Sequence, residues 1–346
     1  MTLTVGPLTA DTGRKTRGTV PVDLGPVTVD LPVTLVNGVR PGPRVVLTGG
    51  VHGGEFAGVD AATRLAALLT PEEVCGQVVL CPVANPPAVY QGRLGVSPLD
   101  GVNINRIFPG DPDGGPTERL ADWLFTQLLP GADAYADLHS GGIDETLTDF
   151  VGYRLTGDAA LDATTRGMAH AVGYPDVILG TDATGGNSHA AAARRGVPAI
   201  LIETGQLGDR DPDTVRTLLD GLFRLLRHLG TLDPLPDTGN TDDPAPRPAT
   251  REWVWAASVT SPATGLWYPE TGRGGDVAEG QILGRLVDPA DGREHKVTAP
   301  ATGRLFYGMH GLTVATGAEL AALATPHTAS TATPLDPPDP HNPEVQ

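Results

Sequence analysis

The chain has 346 residues, long enough for more than one domain, and a formal net charge of −17 from 41 acidic and 24 basic side chains. That balance argues against nucleic acid or an anionic membrane surface as a partner, and any pocket for an anionic ligand must create its own local positive field. Two cysteines, Cys75 and Cys81, are too few for a disulfide framework.

Residues 1–17 lack an apolar signal core, and no run is long enough to span a bilayer, so a cytoplasmic protein is expected. Residues 1 to about 30 alternate Val, Leu and Thr between Gly and Pro, which predicts short edge strands. A strand over 44–49 runs into Thr48-Gly49-Gly50-Val51-His52-Gly53-Gly54-Glu55, and apolar residues at helical spacing predict a helix over 58–69. The glycines let the backbone turn sharply where the strand ends. A strand over 77–83 holds Cys81 as a buried free thiol and stops at Asn85-Pro86-Pro87. Residues 85–115 are rich in Gly, Pro, Asn and Asp, and a connection that long is usually functional. A helix over 117–129 leads to a strand over 133–138, which His139 follows directly. Helices over 160–172, 187–195 and 212–229, with a strand over 199–202 ending in Glu203-Thr204-Gly205, continue the alternation. The pattern predicts an α/β domain over 1–232, with a mixed, mainly parallel sheet flanked by helices.

Pro, Asp, Thr and Gly dominate residues 233–251, as in a linker or a wrap-around strap. An internal repeat follows: Pro262-Ala263-Thr264-Gly265 recurs as Pro300-Ala301-Thr302-Gly303, and Val277-Ala278-Glu279-Gly280 as Val314-Ala315-Thr316-Gly317. Two short-stranded halves over 252–325 resemble the small β-barrel of biotinyl and lipoyl carrier domains. Asp288-Pro289-Ala290-Asp291-Gly292 stands where a carrier would show its modified lysine, so the expected role is structural. Residues 326–346 are too poor in apolar side chains to fold.

His52, Glu55, His139 and Glu203 all fall just past strand ends, and in open α/β sheets that edge is where active sites lie. A His-x-x-Glu pair alone is a weak signal, and a second histidine at a strand end strengthens it. Two imidazoles and one carboxylate, with a fourth position open to water, form the donor set of catalytic zinc. Zinc there would polarise a scissile carbonyl and lower the pKa of its bound water to about 7, with Glu203 as general base. The apolar run 198–202 should deliver Glu203 into a sheltered place rather than onto the surface. Asp137 reads either as a strand-end residue or as one that orients a ligand. His189 and His310 read as ordinary surface histidines, and Tyr153, Tyr268 and Tyr307 are unranked sources of a phenol.

Together, His52-x-x-Glu55, "DLHSGG" around His139, "PAILIETG" around Glu203 and the run from Asp100 to Gly110, "DGVNINRIFPG", resemble the succinylglutamate desuccinylase/aspartoacylase family of zinc-carboxypeptidase-like enzymes. The similarity runs from about Leu31 to about Leu323. It implies one zinc per chain on His52, Glu55 and His139, with Glu203 as the catalytic glutamate. Asn105 and Arg106 would bind the substrate carboxylate, since a guanidinium fork matches it bidentately. The bland alternative pairs Arg106 with Asp100 or Asp111. Arg93 is the candidate to stabilise the oxyanion, although the family's arginine usually lies a few residues nearer the Asp-Gly. The expected activity is hydrolysis of the amide of an N-acyl amino acid or related small carboxylate. The alternatives are a zinc carboxypeptidase acting on short peptides and a non-catalytic binding protein; homo-oligomerisation stays open.

Overall fold

The computed structural model describes residues 1–92, 95–235 and 249–327. Its main sheet has 13 strands. From one edge the order is Arg14–Asp23, Thr28–Asn37, Cys75–Cys81, Arg40–Gly49, Ala134–His139, Ala199–Glu203, Phe150–Arg154, Asp176–Gly180, Arg251–Thr260, Glu319–Pro326, Gly303–Met309 and Asp276–Val277, with Glu145–Leu147 also on Gly303–Met309. Cys75–Cys81, Arg40–Gly49, Ala134–His139 and Ala199–Glu203 run parallel side by side. Their register sets Thr48 beside Asp137 and Glu203 beside His139, so the residues following these strands meet at one carboxyl edge.

Both faces of this centre are covered, which explains why its strands read as nearly unbroken apolar runs. On one face Leu47, Ala136, Leu138 and Ile202 pack against Leu65, Met168 and Leu222. These three belong to helices Phe56–Leu68, Ala159–Val172 and Pro212–His228. On the other face Val46, Val79 and Tyr135 meet Leu120, Leu124 and Ala191.

The predicted fold class stands, with differences in detail. Phe150–Arg154 and Asp176–Gly180 extend the sheet unannounced by the sequence pattern; the first runs antiparallel to Ala199–Glu203, as Thr28–Asn37 does to Cys75–Cys81, so the sheet is mixed. The early strands Arg14–Asp23 and Thr28–Asn37 are ten residues each, and only the first lies at an edge. The helix expected over 117–129 starts at Pro116, stays regular to Trp123 and then widens into a π turn over Leu124–Leu128. Cys81 is a buried free thiol, pushed by that burial to a pKa of about 12.

The repeat is visible as two strand triplets, Gly265–Pro269, Asp276–Val277, Ile282–Val287 and Gly303–Met309, Thr313–Val314, Glu319–Pro326. They exchange short strands: Gly265–Pro269 pairs with Thr313–Val314, and Asp276–Val277 pairs with Gly303–Met309. Trp267, Leu286, Leu305 and Leu323 form their shared core. Gly265–Pro269 and Ile282–Val287 lie with Glu294–Thr298 and Thr313–Val314 in a separate four-stranded sheet, while Arg251–Thr260 and Glu319–Pro326 continue the main sheet beyond Asp176–Gly180. Most of the expected linker or strap and nearly all of the expected disordered tail lie outside the described residues. Among the described residues no helix is long and apolar enough to cross a membrane.

Candidate active site

Glu55 is the hub of the site. Gly54 at φ +85° turns the chain out of the strand and leaves Glu55 at the N-cap of helix Phe56–Leu68. A Cβ at Gly58 would lie 2.6 Å from the Leu138 carbonyl oxygen, so glycine lets this helix close onto the strand that carries His139. One carboxylate oxygen of Glu55 lies 2.7 Å from His52 Nδ1 and the other 2.8 Å from His139 Nδ1. The candidate ligand atoms all fall within 4.8 Å of one another. Burial opposes the charge on Glu55, but the two imidazoles overcome it and hold the carboxyl at about 2. Burial likewise opposes the charge on His139, and Asp137 and Glu55 still raise its pKa well above the usual range.

The outer nitrogens have their own partners. His52 Nε2 is 2.9 Å from Asn103 Oδ1, and His139 Nε2 is 3.0 Å from Asp137 Oδ2. The second approach is poorly directed and leaves Nε2 without a well-formed hydrogen bond. Asp137 is fully buried and accepts from Thr48 Oγ1 at 2.6 Å and from the Ser188 hydroxyl. Burial pushes its carboxyl up, and His139 with these donors outweighs that and lowers it. Asp137 is thus an orienting residue by position. Both rings turn Nδ1 towards Glu55 and Nε2 towards an acceptor, which suits Nε2–H tautomers whose Nδ1 lone pairs face a shared cation. Two nitrogens and a carboxylate at this separation fit a catalytic zinc ion.

Glu203 stands in register beside His139, and its Oε2 is buried with no hydrogen-bond partner. Burial raises its pKa well above the ordinary value; the pull of His139 opposes this, and Glu55 and Glu145 reinforce it. Asn105 is buried, and its Oδ1 accepts from the Ser188 backbone N–H at 2.8 Å, so part of its amide holds the loop. Arg106 is exposed and donates to the Asn105 carbonyl at 3.0 Å. Among the described residues it has no carboxylate partner, and Asp100 instead accepts from Thr117. Arg93 lies outside the described residues.

The reading of His189 as a surface histidine is corrected. It is buried at 5% exposure at the start of an alanine-rich helix lying on the sheet, and burial, aided by Arg154, lowers its pKa to about 3. His310 is exposed, as expected. Of the three tyrosines, Tyr153 belongs to the core on the far face and Tyr268 is 39% exposed. The Tyr307 hydroxyl donates to Glu145 Oε1 at 3.3 Å. Asn103 and Glu145 were missed by sequence reasoning. Asn103 could have been found from its place in the same asparagine-arginine run; nothing local marked Glu145.

A family model described as the succinylglutamate desuccinylase/aspartoacylase catalytic domain matches residues 41–229. The N-alpha-acetyl-L-2,4-diaminobutyric acid deacetylase of Halomonas elongata is 34% identical over 262 residues, 75% of each chain. The solved structure of a succinylglutamate desuccinylase/aspartoacylase from Rhodobacter sphaeroides is 32% identical, with a TM-score of 0.80 over 92% of this chain and 98% of its own. A product-bound ectoine utilization protein from Ruegeria pomeroyi is 26% identical, with a TM-score of 0.81 over the same 92% and 98%. The matched family model covers the strands that carry His52, Glu55, His139 and Glu203, and the chain belongs to the succinylglutamate desuccinylase/aspartoacylase family.

Proposed function

We propose that the protein hydrolyses the amide bond of an N-acyl amino acid, with one zinc ion held by His52, Glu55 and His139 and with Glu203 as general base. The observation that carries this reading is the buried, partnerless carboxylate oxygen of Glu203 beside the His–Glu–His group. Zinc bound there would supply Lewis-acid polarisation of the carbonyl and lower the pKa of the attacking water to about 7. Glu203 takes the proton of that water at Oε2 and returns it to the leaving nitrogen, a transfer favoured by a carboxyl whose proton affinity burial has raised. Asn103 and Asp137 keep the two imidazoles in their Nε2–H tautomers. Arg106, exposed and free of any described carboxylate, grips the substrate carboxylate beside Asn105, and Arg93 is assigned to the oxyanion.

The deacetylase named for the Halomonas elongata relative supports a small N-acyl amino acid over a peptide. A carboxypeptidase would use the same catalytic groups but needs a cleft open on the acyl side. The test is elemental analysis of the purified protein together with a hydrolysis screen of N-acetyl, N-succinyl and N-formyl amino acids against short peptides. About one zinc per chain and turnover of acyl amino acids are expected. Turnover confined to peptides would replace this reading with the carboxypeptidase one, and a metal-free, inactive protein would favour a binding role.

A further inference from the structure

Hydrolysis needs a metal and a grip on the substrate carboxylate, and nothing in that chemistry requires the two to share hydrogen bonds. Here they do. The turn that carries Asn105 and Arg106 reaches the outer nitrogen of both imidazoles. One arm is short: Asn103 Oδ1 accepts from the Asn105 backbone N–H at 2.9 Å and lies 2.9 Å from His52 Nε2. The other arm runs through Ser188. Its backbone N–H donates to Asn105 Oδ1 at 2.8 Å, and its hydroxyl donates to the Asp137 oxygen that faces His139 Nε2. Ser188, Asn105, Asp137 and His139 are each 3% exposed or less, so bulk water does not compete for these bonds. The segment before Ser188 is locked to the same turn. Asn187 Nδ2 donates to the Asn105 carbonyl at 3.0 Å, and the Gly186 carbonyl accepts from the Phe108 N–H at 2.9 Å. A Cβ at Gly186 would fall 1.8 Å from the Arg106 carbonyl oxygen, so only glycine lets the two backbones meet. A shift of the turn under a bound carboxylate therefore carries Ser188 with it, and Ser188 carries Asp137.

We propose that Ser188 is a positioning residue that couples the two halves of the site: a carboxylate held by Arg106 and Asn105 tightens the grip of His139 on the metal, and the metal tightens the carboxylate. This rests on the deacylase reading above and deepens it. Ser188 has no proton to spare for either ligand, because its backbone N–H is spent on Asn105 and its hydroxyl on Asp137. It acts through those two residues. Asp137 can orient His139 only while its own oxygens are held, one by Thr48 at 2.6 Å and the other by Ser188. The hydroxyl is the removable part of this arm: alanine at position 188 keeps the backbone bond to Asn105 and leaves that oxygen of Asp137 to His139 alone. By linkage the coupling factor is the same read from either ligand, and coupling between two sites typically amounts to about 5- to 150-fold. A metal held by three side chains is then lost least readily while substrate is bound.

The test measures the zinc affinity of the full-length protein by chelator competition, with and without saturating N-methanesulfonylalanine, which has a carboxylate and no hydrolysable carbonyl. Zinc Kd in the wild type should fall by about fivefold or more when the probe is bound, and the probe Kd should fall by the same factor when zinc is bound. Ser188→Ala should at least halve that factor, the arm through Asn103 remaining, and Ser188→Thr, which keeps a hydroxyl, should retain it. A factor undiminished in Ser188→Ala would overturn the proposal, since a probe that touches the metal directly tightens it with or without the hydroxyl. Loss of the factor in both variants would make the role of Ser188 one of packing and overturn it as well. A wild type without coupling overturns it while leaving the deacylase reading intact, whereas a protein that binds no zinc overturns both. Should Ser188→Ala fail to fold, the His139 Nε2–H resonance of the metal-free wild type decides: it should shift when the probe is added, and an unmoved resonance refutes the link.

Discussion

Asp137→Asn isolates what a buried carboxylate does for a neighbouring ligand. Asp137 is fully buried and takes three contacts: Thr48 Oγ1 at 2.6 Å on one oxygen, and the Ser188 hydroxyl and His139 Nε2 on the other. An asparagine can keep all three. Its oxygen faces Ser188 and His139, and its NH₂ faces Thr48, whose hydroxyl then donates to Tyr135, 2.7 Å away and able to take either role. The substitution thus removes charge while keeping these three contacts and leaves only the second amide N–H without a named acceptor, so the fold should survive with a modest fall in melting temperature. What it removes is the negative charge behind His139, which makes the imidazole a better donor to a metal. Changes of this kind typically cost about 10- to 100-fold in metal affinity, or about 1.4–2.7 kcal/mol. Zinc affinity measured by competition with a chromophoric chelator should fall by that factor, while circular dichroism of the metal-free protein stays the same. A zinc Kd within twofold of wild type, in a variant that folds, would refute the argument that Asp137 tunes His139.

Glu203→Gln should keep zinc and fold but lose about 10²–10⁴-fold in kcat, because glutamine cannot take the water proton; near-normal turnover would remove Glu203 from the base role. Arg106→Lys should cost about 10- to 100-fold in kcat/KM on acids and much less on substrates whose α-carboxylate is amidated; equal losses on both would mean that Arg106 does not meet the carboxylate. Glu252 lies far from the site, where burial opposes its charge but Arg166 and His170 hold its carboxyl below the ordinary value. A depressed folded-state pKa contributes stability above the unfolded value of about 4.5, and that stability is lost as pH falls through the folded pKa. Glu252→Gln should therefore destabilise the protein by about 1 kcal/mol or less at pH 7, for a partly exposed cluster, and the deficit should shrink at a second, acidic pH below the ordinary carboxylate range. A deficit in melting temperature that is the same at both pH values would show that the loss is one of packing.

The candidate site was legible where chemistry coincides with a local pattern. His52, Glu55, His139 and Glu203 each follow an apolar run, and parallel strands then bring their ends together in register. The strands Phe150–Arg154 and Asp176–Gly180 were not legible, because five residues containing Gly152 or bounded by Asp176 and Gly180 give no period to read. His189 was misread for a related reason. Its neighbours, Asn187 and Ser188, are polar, and its burial comes from a short helix lying on the sheet near Asp137. Asn103 and Tyr307 reach their partners across 51 and 162 residues of sequence, and such contacts leave no trace in the chain's own spacing.

These two kinds of residue also differ in what holds them. The His–Glu–His group and Glu203 are fixed by strands buried on both faces, so moving any of them means rebuilding the sheet. Arg106 sits in a short turn tied to Asn103 and Asn187, and Glu145 in a turn closed by Gly142. Both turns lie outside the parallel core, so a charge at either position can change without repacking it. Substitution at Arg106 should therefore lower kcat/KM on substrates with a free carboxylate while zinc binding persists, and substitution at His139 should abolish zinc binding whichever substrate is offered.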